Sequence, residues 1–195
     1  MPMDWTAPVP VGTPIAPVVF SAGALVELVV NGQSLGKLPV PLYGVVRFPS
    51  VNFTPGALSA TSWDAMGNKL ASASVVTAKA AAKLVLTADV GGSAAGIKAD
   101  GQDVALIRVA VVDSDGTVVP TADQDVTFTV QSGPGLIYGV GNGDPSDHDP
   151  DKASHRKVFK GLARVVLQNT GNAGSIVLQA TAHGLSDGII TINAH

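Results

Sequence analysis

Asp125–Gln131 reads Asp-Val-Thr-Phe-Thr-Val-Gln, and its alternation decides the fold. Val126, Phe128 and Val130 fall on one side of an extended chain, and Thr127, Thr129 and Gln131 on the other, because successive side chains of a strand point to opposite faces. Gly174–Ala182 repeats the pattern, with Ile176, Leu178 and Ala180 set against Val177, Gln179 and Thr181. Working outward, the same reading predicts strands over Val18–Phe20, Leu25–Val30, Val45–Phe48, Ala57–Trp63, Ala71–Thr77, Leu84–Ala88, Asp103–Val112, Leu136–Val140, Leu162–Gln168 and Gly188–Asn193. Asn31-Gly32, Met66-Gly67-Asn68 and Asp115-Gly116 lie between such runs and read as hairpin turns, since Asn and Gly tolerate the positive φ that tight turns require. Many short strands with Gly and Pro between them argue for antiparallel sandwiches over a parallel sheet.

Composition agrees. Of 195 residues, 46% are hydrophobic and only 14% charged, with 22 Gly and 13 Pro. The acids are Asp apart from Glu27, and so little Glu argues against long helices. At roughly 100–150 residues per domain, the length admits one large domain or two small ones. Thr77–Leu84, TAKAAAKL, has high helix propensity but spans only about two turns between β-branched strands. It reads as a junction between domains at 1–80 and 81–195, with a short helical turn as the alternative. Gly91–Gly96, GGSAAG, reads as a small flexible loop.

The formal net charge of −3 offers no basic footprint for nucleic acid. Lys152, His155, Arg156, Lys157 and Lys160 form the single basic cluster, just after four aspartates. Mean hydropathy is +0.32, yet no apolar run approaches the roughly 18 residues of a membrane span. The first twenty residues carry six Pro or Gly and no Lys or Arg, unlike a signal peptide. Either a signal was removed or the chain is part of a longer one. The absence of Cys excludes disulfides, thiolate zinc sites and cysteine catalysis.

No acid pair for glycoside hydrolysis emerges. Asp64, Asp100, Asp113, Asp115 and Asp187 each lie within three residues of a Gly, where Asp caps turn N–H groups. Glu27 sits opposite Val26, Leu28 and Val30 on a strand and reads as solvent-facing. Ser154, His155 and Asp149 lack a G-x-S-x-G elbow, and neighbours on an extended segment point apart. Trp63 is expected in the core and Trp5 as a cap, leaving few aromatics for sugar stacking. His183 and His195 carry no motif.

Gly141–Lys160, GNGDPSDHDPDKASHRKVFK, is the most unusual stretch. Three readings stand: a long surface loop whose acidic and basic halves pair, a structural calcium site on Asp144, Asp147, Asp149, Asp151 and His148, or a direct ligand contact. The spacing departs from an EF-hand, which needs Gly at position six and Glu at position twelve. Asn142, Asp144 and His148 are the candidate interdomain or sugar contacts; no metal ligand set is assigned.

NGQSLG (Asn31–Gly36) followed by PGALSATSWDAMGNKLAS (Pro55–Ser72) resembles the domain just after the catalytic barrel in many family 2 glycoside hydrolases. Ile97–Val130, GPGLIYGVGNGDP (Gly133–Pro145) and RKVFKGLARVVLQ (Arg156–Gln168) resemble the C-terminal immunoglobulin-like domain of β-galactosidases in that family. The GGSAAG stretch and Asp149, where relatives often have Glu, depart from the pattern. The resemblance implies an all-β fold of two tandem immunoglobulin-like β-sandwich domains. It also implies a parent enzyme that cleaves β-galactosides, or related β-glycosides, with retention, through two glutamates on an upstream (β/α)8 barrel. Neither glutamate has a counterpart here, so no catalytic residue and no cofactor is assigned.

The leading expectation is therefore a non-catalytic accessory region that braces or extends the upstream catalytic domains of the same chain. A carbohydrate-binding module for β-galactoside polysaccharide and an adhesin-type immunoglobulin-like spacer are the alternatives. Partners in nucleic acid or membrane are not expected. A polysaccharide-degrading parent would imply a periplasmic or extracellular location.

Overall fold

The computed structural model describes residues 4–89 and 96–195; the expected Gly91–Gly96 loop, apart from Gly96, lies outside them. Every regular element among the described residues is a strand, and all strand pairs are antiparallel. The chain divides into two compact units, Met1–Thr77 and Ala78–His195.

The first unit holds β1 (Pro14–Ile15), β2 (Val18–Phe20), β3 (Leu25–Val30), β4 (Gln33–Pro39), β5 (Val45–Arg47), β6 (Val51–Asn52), β7 (Ala57–Trp63) and β8 (Lys69–Val76). A four-stranded sheet runs β4-β3-β7-β8, and the pairs β1-β6 and β2-β5 form two short ribbons. Alternation sends Val26 and Leu28 from β3 into a small core with Val46 and Phe48, flanked by Leu58 and Ala60 from β7. Trp5 is buried, packs edge-on against Phe53 and donates its indole N–H to the Thr54 carbonyl at 3.0 Å. Asn31 and Gly32 carry φ of 48° and 82° between β3 and β4, the two-residue turn that the right-handed strand twist favours.

The second unit holds β9 (Lys83–Asp89), β10 (Val104–Val112), β11 (Asp125–Ser132), β12 (Gly135–Gly141), β13 (His155–Lys157), β14 (Leu162–Asn169), β15 (Gly174–Thr181) and β16 (Gly188–Ala194). Two four-stranded sheets, β12-β14-β10-β9 and β13-β11-β15-β16, lie around one core. From β10 to β15 the chain changes sheet at every connection, so each strand adds to the same core as its predecessor; this is an immunoglobulin-like sandwich. Val126 and Phe128 of β11, Ile107 and Val109 of β10, Val165 and Leu167 of β14, and Ile176 and Leu178 of β15 are buried in it. Along β11 the threonines between them are exposed.

Two turns are chemically identical. In Asp64–Asn68 and Asp113–Thr117 the first Asp accepts, on one carboxylate oxygen, the N–H groups of the third and fifth residues at 2.8–2.9 Å. Its carbonyl takes the N–H of the fourth residue, a glycine at φ 85° or 88°. The second turn, whose Asp113 is buried, recruits more: Asp113 also accepts the Lys79 N–H at 2.8 Å, and Ala82 donates to the Val112 carbonyl. Those bonds explain why Thr77–Leu84 is not helical. The amides of Lys79 and Ala82 go to the β10 end, that of Thr77 to the Gly56 carbonyl and that of Leu84 to the Ser186 carbonyl, instead of to one another.

The structure adds four strands to the expected set: β1, β4, β6 and β13. β1 and β6 are two residues long, and β4 hides its periodicity behind Gly36, Lys37 and Pro39. Trp63 is also placed differently. Leu58 and Ala60 face the core, so alternation puts Trp63 on the opposite face, where Lys37 Nζ stands 3.9 Å from the ring centre. A lysine stem and a cation–π contact cover the ring in place of core packing.

Because Phe128 is the largest fully buried side chain, Phe128→Ala is expected to cost about 3–5 kcal/mol; urea unfolding of the two chains measures it.

Candidate functional site

The segment between β12 and β14 is where chemistry-bearing side chains converge. It leaves β12 at the edge of one sheet and returns through β13 at the edge of the other. Arg156, directly opposite the buried Val126 in the β13–β11 register, shares that residue's core-facing side, and only 3% of its surface is exposed. A guanidinium in that position needs acceptors on every side. Its two Nη atoms find them in the segment itself: Nη1 donates to the Asp147 carboxylate at 2.9 Å, and Nη2 donates to the Pro150 carbonyl at 2.9 Å, the Asp149 carbonyl at 3.1 Å and Asp151 Oδ1 at 3.2 Å, while Nε is buried without a hydrogen-bond partner among the described residues. A longer contact of 3.4 Å reaches the Val140 carbonyl on β12. One cation thus ties the two sheet edges and the segment between them together. Val140 N–H also donates to the Asp151 carbonyl at 2.8 Å, which lays the segment along the β12 edge.

Asn142 works from the other end. Its amide donates to Asp147 Oδ2 at 2.6 Å and to the Lys157 carbonyl at 2.9 Å, while its Oδ1 accepts the Asp144 N–H at 2.9 Å. Asp144 in turn accepts both the N–H and the hydroxyl of Ser146, at 2.9 and 2.7 Å. These form a chain of Asx turns. Asn142, Asp144 and His148 all line one shallow, open recess, together with Asp123, Lys157 and Lys160. Asn142 and Asp144 are half-buried, and His148 is exposed. Their hydrogen bonds are local, so Asn142 and Asp144 fix the rim of the recess as well as lining it.

Electrostatics keep these acids ionised. The hydroxyl and N–H of Ser146 hold Asp144 below the ordinary carboxylate range, and the Asp149 N–H, then the Arg156 guanidinium, do the same for Asp147. Among the described residues no three His, Asp or Glu side chains converge as a metal cage would require. Two of the aspartates in the calcium reading, Asp147 and Asp151, are paired with the Arg156 guanidinium. His155 Nδ1 faces Asp125 at 3.3 Å, and Ser154 contributes its carbonyl, which accepts the Phe128 N–H at 2.7 Å.

The pairing of the acidic and basic halves of this stretch is as expected, in Arg156 with Asp147 and Asp151; the burial of Arg156 is what sequence reasoning missed. The one signal available was its spacing, two residues before the apolar Val158 and so on the same side of an extended chain; the structure buries both while His155 and Lys157 are exposed.

Residues 84–191 match glycoside hydrolase family 2 C-terminal domain 5, and residues 12–71 match a domain of unknown function, DUF4982. A β-galactosidase of Bacteroides ovatus is 37% identical over 169 residues, which is 87% of this chain and 19% of that protein. A β-glucuronidase of Formosa agariphila is 32% identical over 187 residues, 94% of this chain and 18% of that one. The chain therefore spans about a fifth of the length of the curated relatives it matches. Among solved structures, a glycosyl hydrolase family 2 member from Bacteroides cellulosilyticus superposes with a TM-score of 0.91 at 30% identity, over 98% of this chain and 24% of that one. A β-glycosidase from Bacteroides vulgatus gives 0.88 at 28% identity, over 98% and 24%.

Replacing Arg156 by Met leaves Asp147 without its buried counter-ion and is expected to cost about 3 kcal/mol, with faster hydrogen exchange at Val140 and Asp149. Acid has a defined sign as well. Asp64, Asp100, Asp113, Asp115, Asp144 and Asp147 all titrate lower in the fold than in the unfolded chain. Between the two values the unfolded state binds more protons, so their contribution is fully present above about pH 5 and is lost as pH falls below about 4 through the folded values. Thermal unfolding between pH 3 and 7 reads this out.

Proposed function

Because the chain belongs to the glycoside hydrolase family 2 C-terminal domain 5 family, we propose that it is the non-catalytic accessory end of a longer β-glycoside-cleaving enzyme of β-galactosidase type. Its role is to brace the catalytic domains of that enzyme. The observation that carries the reading is an apolar knob on the first unit: Phe20, Leu42 and Tyr43 are 74%, 83% and 91% exposed. Phe20 pairs with Val45 across β2-β5, and Ser21 N–H donates to the Gly44 carbonyl, so the three side chains sit around one ribbon end. A cluster of that size left in water marks a surface that another body covers.

The carboxylates support the non-catalytic part. A retaining or inverting glycosidase needs one carboxyl kept protonated to serve the leaving group. Asp144 and Asp147 are pulled the other way, and Glu27 accepts a hydrogen bond from Ser34 at 2.8 Å on the surface of a sheet. Within this proposal, Asn142, Asp144 and His148 form a second contact face toward a neighbouring domain or a sugar. A polysaccharide-binding role has one observation in its favour, Tyr138 standing 54% exposed on β12 beside the exposed Leu136.

The purified 195-residue chain is expected to leave a chromogenic β-galactoside intact; hydrolysis would overturn the assignment. In the full-length enzyme, Phe20→Ser, Leu42→Ser and Tyr43→Ser together should lower the melting temperature and activity, while the isolated chain with the same changes melts as before. Equal melting shifts in both contexts, or none in either, would remove the bracing role. Binding of neutral galactan that Tyr138→Ala abolishes would favour the sugar-binding reading.

A further inference from the structure

Edge strands expose unpaired N–H and C=O groups, and folded proteins cover, shorten, charge or bulge them. Most edges in this molecule are treated in one of these ways. β4 carries Gly36, Lys37, Pro39 and a register shift. β12 has a bulge and the Asp151 carbonyl laid against Val140. β13 is three residues long and all His, Arg and Lys. β9 and β16 meet at the far side of the sandwich, where Leu84 N–H donates to the Ser186 carbonyl and Ile97 bridges Ala194.

β8 is the exception. It runs eight residues, KLASASVV, with one charge at its start and no Pro or Gly. Its single irregularity is at Lys69–Leu70, after which Ala71–Val76 pairs regularly with β7. No described strand lies on its other edge. Seven of its eight residues are exposed, including Ala71 and Ala73, whose partners Ser62 and Ala60 place them on the core side of the sheet.

We propose that β8 pairs antiparallel with β8 of a second copy of this chain, joining two four-stranded sheets into one of eight strands. The strand suits its own image. A two-fold axis through Ala73 sets Ala73 against Ala73, Ser72 against Ser74 and Ala71 against Val75, all small or apolar and none charged. The two Lys69 ammonium groups then stand about 27 Å apart along the strands, beyond the Debye length of about 8 Å at physiological salt. Strand pairing alone buries less than the roughly 1,200 Å² of a tight interface, so the association is concentration-dependent. The inference is independent of what any parent enzyme cleaves.

Sedimentation of the 195-residue chain from about 5 to about 500 µM is expected to show a monomer passing to a dimer. Ser72→Lys with Ser74→Lys sets like charges face to face twice and should weaken association about tenfold or more. Ser72→Lys with Ser74→Glu makes the same contacts attractive and should restore it. Since the chain has no cysteine, Ala73→Cys gives a readout that does not depend on the charged variants folding: it should form a disulfide dimer under mild oxidation, while Ser114→Cys, exposed in the second unit, should not. A wild-type chain that stays monomeric overturns the proposal and leaves the edge to an extended segment of another protein. A double-lysine chain that stays dimeric, or Ala73→Cys that links no faster than Ser114→Cys, overturns it as well.

Discussion

A single buried guanidinium sets the terms for the second unit. A two-sheet sandwich has two open sides, and here they are closed by different means. On one side the backbone does it, through Leu84 to Ser186 and Ile97 to Ala194. On the other, β12 and β13 belong to different sheets, and Arg156 spans the gap with hydrogen bonds to both the β12 carbonyl of Val140 and the segment that connects the two strands. Burying that charge is costly, and the cost is offset by the partners of its two Nη atoms, Nε having none among the described residues. The acids and carbonyls of residues 140–151 are arranged accordingly, and the recess rimmed by Asn142 and Asp144 is a by-product of that arrangement.

Legibility followed exposure. Where a strand has one wet and one dry face, as in Asp125–Ser132 or Gly174–Thr181, the period of two could be read directly, and the turns beside it were marked by Asn, Asp and Gly. Exposed strands were harder to read: β4 is mostly exposed and interrupted by Gly36 and Pro39, whereas the likewise exposed β8 ends in Val75 and Val76 and was expected over Ala71–Thr77. Trp63 was misjudged because a large ring suggests a core, whereas a lysine stem can cover it equally well. Thr77–Leu84 shows tertiary context overriding propensity, since Asp113 and Val112 claim the amides that a helical turn would have used. In the candidate site, Asn142, Asp144 and His148 were singled out from composition alone, and they do share one recess. The residue that organises it was hidden in a basic run because charge on an edge strand normally means solvent.

The acids tell a consistent chemical story. The two Asp-x-x-Gly turns, and the Asx chain from Asn142 to Asp149, use carboxylates as acceptors for backbone N–H groups. That use favours the ionised form, which is the opposite of what a proton donor in glycoside cleavage requires. Preference for Asp over Glu follows from the same geometry: the shorter side chain reaches its own turn, and a chain built of turns and strands has little use for the longer one. The scarcity of glutamate is thus an architectural property first.

The connection that lies along β12 has a further consequence for anyone trimming this chain. Surface loops are routine targets for shortening when a more compact variant is wanted. Removing residues 142–154 would also strip the shield from a strand edge and leave Arg156 facing apolar walls without its counter-ions. The trimmed polypeptide would trade a harmless excursion for a sticky, fibril-prone rim, so the apparent ornament belongs among the parts that keep the molecule dispersed.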